Sequence, residues 1–595
     1  MLHKKDNEDL VSKLRTITLL EADFNFNNEV LGQETIKHAE RNQLIAKEQY
    51  GSQKNKQAID HAVHKALTYD ILRQYRVPGA SCSNNAKSRY NRVAHSIASL
   101  AYKRLGVPDP PVSCMLATIQ NMKHYVRTNF GDSTFYMSSD GSLIPFQGVL
   151  QGNGASPTSW VIISSTLLDM LREAGNEAYF VSAISGESSH SVGFTYVDDT
   201  DLIQIDLRDK TIGTREVMEH MQDAINRWEG GLKVSGGAIV PQKSFVYPIA
   251  FNFDAQGKWT NATAEEIDFE FTVKDLNDNI QSLPKVSPSE GRCTLGVVLA
   301  PDGNNNDAVK WLRKKADKWA AYIRTGHISR DDAWQALDTT ILKTLRYPLP
   351  ALCLSESECK HIIDPVLKTC LPKSTIARNF PHKVLYGPKE EGGLGREDLF
   401  IYQGTSKIAL LTEHLALQTM TGELLRCSIE AAKVEIGIGR NIFSLDFERF
   451  GCLCTDGVIK HIWKFAYNNN IRIEDRVTQN LQLHRNGDLF LMEQFANEDF
   501  TSTELQHINR CRLFLQVTTL ADIMDRHGSR ITNTALKYNY NHDRVHHYNW
   551  PVQPRPNQQV RRIWKRALKQ SFPRVPGSLD IEYTLGSWLD NYNTW

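Results

Sequence analysis

Charge imbalance is missing from this chain. Its 595 residues carry 69 Lys and Arg against 68 Asp and Glu, a net charge of +1, so any polyanion-binding surface must be local. Cysteine pairing is missing too. The ten cysteines form no CxxC, and Cys452 and Cys454 stand too close for a zinc-finger pair and lack a His/Cys partner pair. They read as reduced, structural residues of an intracellular protein. The start, Met1-Leu2-His3-Lys4-Lys5-Asp6, has no apolar run, which argues against a signal peptide and secretion. The longest apolar stretch, Trp160 to Met170, is interrupted by serines and an aspartate and is too short to span a bilayer. The expectation is a cytoplasmic or nuclear protein with no membrane partner. With 41% hydrophobic and 23% charged residues the chain has the composition of folded domains, about three to five by length. It contains no internal repeat and no low-complexity tract.

What is there is an acidic turn, Tyr196-Val197-Asp198-Asp199-Thr200-Asp201. Val192, Phe194 and Tyr196 alternate before it, and Leu202, Ile203 and Ile205 follow, so it reads as strand, turn, strand. Two carboxylates at the tip of a buried hairpin are costly unless a cation sits between them. A divalent metal, with oxygen ligands suited to magnesium, fits that requirement. A two-metal site would need further carboxylates from elsewhere in the chain.

Along the chain, residues 1–25 read as a hairpin, and beginning inside one implies that an upstream part is missing. Residues 27–75 read as helical, interrupted at Gln49-Tyr50-Gly51. Helices are predicted after Asn91, over 113–129, from Pro157, and over 213–229, where Val217, Met218, Met221, Ala224, Ile225 and Trp228 form an apolar stripe. Ile267, Phe269, Phe271 and Val273 alternate as a β-ribbon. The predicted helix 307–323 buries Val309, Leu312, Ala316, Trp319, Ala320 and Ile323 and carries Lys310, Arg313, Lys314, Lys315 and Lys318 on its other face. That face suits a phosphate backbone and equally a solvated surface. Glycines 387, 392, 393 and 395 mark a linker over 380–400, with helices around 404–418, 455–467 and 503–526 beyond it. Residues 541–575 hold eight Arg or Lys against Asp543, with Trp550 and Trp564 interleaved, a pattern that suits single-stranded nucleic acid or a solvated tail.

The acidic turn has companions in order. Leu14-Arg15-Thr16-Ile17-Thr18-Leu19, Gln49-Tyr50-Gly51 through Asp60, Asn85 through Asn91, Gln151-Gly152-Asn153-Gly154-Ala155-Ser156-Pro157, Tyr196 to Asp199, Pro241-Gln242-Lys243-Ser244 and Leu295-Gly296 follow one another. Together they resemble the motif series of a reverse transcriptase of the non-LTR retrotransposon kind, over residues 1 to about 300. The resemblance implies an α+β right-hand polymerase, its fingers and palm built from an antiparallel sheet packed on helices. Fingers (1–79, truncated), palm (80–300, with a ribbon insertion at about 251–285), a thumb-like helical domain (301–400) and a mostly helical C-terminal region (401–595) with a basic tail would follow one another. It implies magnesium or manganese as cofactor, and an RNA template, a DNA primer and deoxynucleoside triphosphates as partners. Asp198 and Asp199 would be the metal ligands. Arg15, Tyr90, Gln151, Gly152 and Lys243 would meet the nucleotide, Tyr90 as the gate against a ribose 2′-hydroxyl. Tyr196, Leu295, Gly296, Lys314 and Lys318 would meet primer and template.

The chain departs from that pattern at one telling place. The family's first catalytic strand carries an aspartate, an aromatic five residues on and often a second aspartate next to it. Here Asn85, Tyr90 and Asn91 stand there, the aromatic kept and both acids amides. Asn85 offers a neutral carbonyl oxygen and no charge, and Arg89 adds a cation nearby. Losing one carboxylate from a two-metal site costs ~10³-fold or more in rate. Thr16 stands where the family has proline, and Ser52, Gln53, Asn55 and Gln57 depart from its next block. The expectation is a retroelement polymerase with impaired nucleotidyl transfer. The alternatives are a non-catalytic nucleic-acid-binding remnant of one and, against the companion motifs, a metal-dependent glycosyltransferase. Residues 400–595 carry no ribonuclease H set, CCHC knuckle or integrase-like triad, and the start inside a hairpin leads to the expectation that no endonuclease precedes the fingers.

Overall fold

The computed structural model describes residues 2–3, 14–15, 17–86, 89–128, 130–138, 147–275, 277–537 and 548–589. At its centre lies a four-stranded antiparallel sheet in the spatial order β4-β1-β3-β2, formed by β1 (Gly79–Asn84), β2 (Gly193–Tyr196), β3 (Asp199–Gln204) and β4 (Phe245–Ile249). Pro248 sits in β4, an edge strand, where a missing N–H breaks no ladder. The other edge, β2, is partly covered by Gln49, which bridges Thr195 in parallel.

One face of the sheet carries α5 (Ser156–Glu173) and α6 (Thr214–Val234). The stripe Val217, Met218, Met221, Ala224, Ile225 and Trp228 is buried there, as its spacing predicts. The other face carries α2 (Ala58–Tyr75), preceded by α1 (Ala22–Arg41). Helix α2 is buried on all sides, because α10 (Met420–Ile436) packs on its outer face. Its polar side chains find partners there. The Gln74 amide donates to the Ser428 carbonyl at 3.0 Å, and His64 Nε2 lies 2.8 Å from Thr421 Oγ1. One apolar cluster runs from Tyr50 to Leu585 through both elements. Between them in the chain come the hairpin β5 (Arg292–Thr294) and β6 (Val297–Leu299), then α7 (Asn306–Thr325), α8 (Glu356–Lys373) and α9 (Leu399–His414). Helices α11 (Val458–Asn468), α12 (Ser502–Leu515) and α13 (Gln558–Ser571) complete the frame.

Several expectations need correction. Helix α4 covers Asp109–Asn121 rather than 113–129: Pro110 and Pro111 fit its first turn, and Arg127–Thr128 pairs with Gly131–Asp132. Helix α3 begins at His95, ending at Arg104, and only Arg89–Arg92 is helical before it. The first catalytic strand expected at 85–91 ends at Asn84. The alternating run becomes strand only at Phe271–Lys274, because the Phe269 amide turns back onto the Ile267 carbonyl. Helix α12 stops at Leu515, where Gln516 turns left-handed and Asp522 takes the amides of Thr518 and Thr519. Residues 380–400 are no linker. Leu385 is buried, and Leu394, Gly395 and Arg396 donate back to Val384, Gly387 and Leu385. A Cβ on Gly393 would meet the Gly387 carbonyl at 2.1 Å, so that close approach needs glycine. Trp550 and Trp564 are buried, and Trp564 Nε1 donates to the Ala535 carbonyl at 3.1 Å, so neither offers a ring for stacking bases. All ten cysteines are free thiols. Among the described residues no helix is long and apolar enough to cross a membrane.

Candidate functional site

The acidic turn is a two-residue hairpin. Tyr196 pairs with Asp199, leaving Val197 and Asp198 at the tip. Val197 is held at φ +55°, a left-handed conformation that a β-branched residue adopts only under constraint. The constraint is visible. Gln49 Oε1 accepts the Val197 amide at 2.9 Å, and Gln49 Nε2 donates to the Val197 carbonyl at 3.1 Å and to Ser164 Oγ at 2.8 Å. Trp160 Nε1 donates to the same carbonyl at 2.6 Å. Gly51 lies so close that a Cβ there would meet the Val197 amide nitrogen at 2.3 Å. The Gln49-Tyr50-Gly51 segment therefore clamps the turn.

Strand β1 brings position 85 to the same end of the sheet. Ser83 pairs with Asp201 and Asn84 with Thr200, and the register continued one step sets Asn85 against Asp199. Asn85 is fixed by its backbone, its N–H donating to Ser244 Oγ at 3.0 Å and its carbonyl accepting from Val240 at 2.8 Å. The 240–244 segment thus flanks position 85, and Lys243 stands exposed on it. Asn84 is buried, its amide on the Cys82 carbonyl at 3.3 Å.

A third segment joins them. The Tyr90 carbonyl accepts the Val149 and Leu150 amides at 2.6 and 3.2 Å, and Asn91 Oδ1 accepts the Gln151 amide at 3.0 Å. The Gln151 carbonyl accepts the Thr18 amide at 2.8 Å. Gly152 has φ +122°, and a Cβ on it would meet the Thr18 carbonyl at 2.2 Å. Glycine is therefore required at 152 by the approach of the Thr18 backbone. The Tyr90 ring packs partly buried against the apolar cluster of α5 and α6. The backbone of Leu14–Arg15 pairs with Leu2–His3. The side chains of Arg15 and Arg89, and Thr16, Lys87, Ser88, Asp543 and Arg544 altogether, lie outside the described residues.

Residues that the motifs do not flag tie the sheet to the β5–β6 turn. Lys65 Nζ, on α2, lies 2.9 Å from Asp201 Oδ2 and 2.8 Å from Thr294 Oγ1, and His61 Nε2 lies 2.5 Å from the same carboxylate. All are buried. Burial opposes ionisation of Asp201, but Lys65 and then His61 outweigh it and hold its carboxyl well below the usual range. The same ion pair keeps Lys65 above the usual lysine range despite burial. Asp201 is committed to this network and does not stand in for the acid missing at position 85. One turn of helix separates His61 from Lys65, the only trace of the arrangement in the sequence. Leu295 and Gly296 form the β5–β6 turn with φ +48° and +82°, steadied by the Tyr347 hydroxyl, which donates to the Leu295 carbonyl at 2.9 Å. Lys314 and Lys318 are exposed on α7.

The donor set at the turn is Asp198, Asp199 and the carboxamide of Asn85. Among the described residues no group of three or more His, Cys, Asp or Glu side chains is placed to hold a metal ion. Two carboxylates balance one divalent cation, so these residues do not fit a pair of them.

No protein-family model matches the chain, and comparison with curated proteins finds no match. Among solved structures, apo telomerase from Candida tropicalis is similar at 12% identity over 67% of this chain and 61% of that one, with a TM-score of 0.31. Telomerase from Candida albicans in complex with a fragment of telomeric RNA is similar at 12% identity over 70% and 55%, with a TM-score of 0.26. The chain thus spans a little over half the length of these structures, and superpositions this loose carry no weight for its chemistry.

Proposed function

We propose that the chain is the polymerase core of a reverse transcriptase, derived from a retroelement, in which nucleotidyl transfer is impaired by the loss of one acid. The observation that supports this most is the register of β1 against β3, which pairs Asn84 with Thr200 and so ends one residue before Asn85, at the acidic turn and beside the 240–244 segment. A polymerase of this kind needs carboxylates at this point to hold the divalent cations that would ease deprotonation of the 3′ hydroxyl and offset the charge of the α-phosphate. Asp198 and Asp199 supply two charges. Asn85 supplies a dipole where a third carboxylate is required. Lys243 and Arg15 are the cations that would meet the triphosphate, and Leu295 and Gly296 the turn that would meet the primer.

The test is primer extension on an RNA template with magnesium, comparing wild type, Asn85→Asp and Asp198→Ala. Restoring the acid is expected to raise extension by ~10³-fold, and Asp198→Ala to remove what wild type shows. Equal, robust extension by wild type and Asn85→Asp would refute impairment. The amide at position 85 also favours a second reading, a non-catalytic nucleic-acid-binding remnant. Primer–template binding with a steep salt dependence, and no extension even by Asn85→Asp, would select it.

A further inference from the structure

Helices α3, α5 and α6 leave an apolar groove of about 580 Å³ on the face of the sheet domain. The Ala94 amide donates to the Ser235 carbonyl at 2.9 Å, so the start of α3 and the end of α6 meet and close one end. Both helices pack on α5 beyond that junction. Leu100 of α3 and Val234 of α6 wall the groove and are 62% and 69% exposed, while Leu167 of α5 lies buried beneath them. The charged residues of the lining are Arg104 and Arg227, and among the described residues no carboxylate lines it. They stand ten and eight residues from the junction, about 15 and 12 Å along their helices, at the open end. Their acids are shared: Asp169 takes Arg104 and Arg172, both at 2.6 Å, and Asp223 takes Arg227 at 2.7 Å and the Asn176 amide at 2.9 Å.

A glycine inside a helix weakens it, and α6 contains two in succession. Gly231 has a reason within the chain, because a Cβ there would meet Leu167 Cδ2 at 2.8 Å. A Cβ on Gly230 would meet nothing within 4 Å, yet Gly230 lines the groove. Its bare backbone leaves room for a second helix to approach closely.

Helix α1 carries the complementary face. Phe26 and Val30 lie one turn apart and are exposed, Phe26 at 66%, and Asp23 precedes Phe26 by three residues on the same side. Residues 21–36 hold Glu21, Asp23, Glu29 and Glu34, all exposed, and no Lys or Arg. Lys37 meets Glu34 at 2.7 Å, so the Asp23 end is the more negative one. Four acids without a base repel a polyanion, and nucleic acid therefore does not account for the exposed Phe26 and Val30. Asp23 and Val30 are about 10 Å apart along the helix, which matches the distance from the apolar walls to the arginines.

We propose that α1 of a second copy of this chain docks in the α3–α5–α6 groove, with Phe26 and Val30 between Leu100 and Val234 and with Asp23 against Arg104 and Arg227. The contact joins two different surfaces of one chain, a heterologous interface. A helix face of two turns buries less than a standard interface, so the association is weak. It requires no catalysis and is independent of the polymerase reading.

The test is sedimentation velocity of the full chain from about 1 to 100 μM, where wild type should self-associate. Leu100→Ser/Val234→Ser removes the groove walls, and Phe26→Ser/Val30→Ser removes the anchors, all at exposed positions. Each variant alone should raise the dissociation constant at least about tenfold, as should Asp23→Lys. Mixed together, the two double variants still hold one intact groove and one intact α1, and should form a one-to-one complex and nothing larger. Recovery on mixing also shows that both variants are folded. Wild type that stays monomeric throughout, or association that survives either double substitution, overturns the proposal. Association lost by both variants and not recovered on mixing overturns it in favour of a groove-to-groove contact.

Discussion

Gln49 holds both polar atoms of Val197, accepting its amide at 2.9 Å and donating to its carbonyl at 3.1 Å. The two residues lie 148 apart in the chain, and the contact fixes the tip on which Asp198 sits. Gln49→Ala would leave the Val197 amide and Ser164 Oγ without this partner inside a packed site. It is expected to cost about 2–3 kcal/mol in denaturant unfolding. A loss below about 0.5 kcal/mol would show that Trp160 alone holds the turn.

The buried Lys65–Asp201 pair predicts a non-additive cycle. Asp201→Asn strands the Lys65 ammonium in the interior and should cost about 3–5 kcal/mol, as should Lys65→Met, which strands the carboxylate. The double variant removes both charges and should be less destabilised than the sum of the two, because no uncompensated ion remains. Unfolding free energies of the four proteins check this, and simple additivity would refute the coupling.

His461 predicts an acid limb in stability. Burial first, and the Lys407 ammonium second, push its pKa down to about 3. Its unfolded value is near 6.5, so between those values the unfolded chain binds a proton that the folded chain refuses. Stability from this residue is complete above about pH 6.5 and is lost as pH falls towards 3, by at most ~1.4 kcal/mol per pH unit. Thermal unfolding of wild type and His461→Gln from pH 7 to pH 4.5 should therefore show a shallower decline in the variant. Parallel curves would show that another group sets the acid limb.

Trp564 is buried against Phe495, with ring centroids 5.7 Å apart. Trp564→Ala is expected to cost about 3–5 kcal/mol in stability. Below its own melting temperature the variant should bind nucleic acid like wild type, measured by anisotropy of a labelled oligonucleotide. A selective loss of binding with unchanged stability would restore the stacking role its place in a basic segment invites.

Local patterns were legible where one face of an element meets one environment. The hairpin around Asp198 and Asp199 follows from alternation, and α6 from a stripe that packs on a single sheet. Helix α9, expected around 404–418, starts five residues earlier, where the Asp398 carboxylate accepts the Phe400 and Ile401 amides. Helix α2 was legible as a helix but not in its role, because burial on all sides leaves no polar face to read. Its partners Thr421 and Ser428 lie more than 350 residues away. The glycine-rich stretch at 387–395 reads as a linker because glycine marks both flexible chain and close backbone contact, and only packing separates the two.

The sequence by itself determined the order of the motifs, the acidic turn and the amide at position 85, since these are facts of residue type and spacing. The tertiary structure alone decided that β1 pairs with β3 as far as Asn84 and Thr200 and that Asp201 belongs to Lys65 and His61. It alone decided that Gly152 packs against the Thr18 carbonyl. Residue spacing governs hydrogen bonds and faces within an element. Pairing across elements depends on strand register and helix packing, which join side chains that no local period connects.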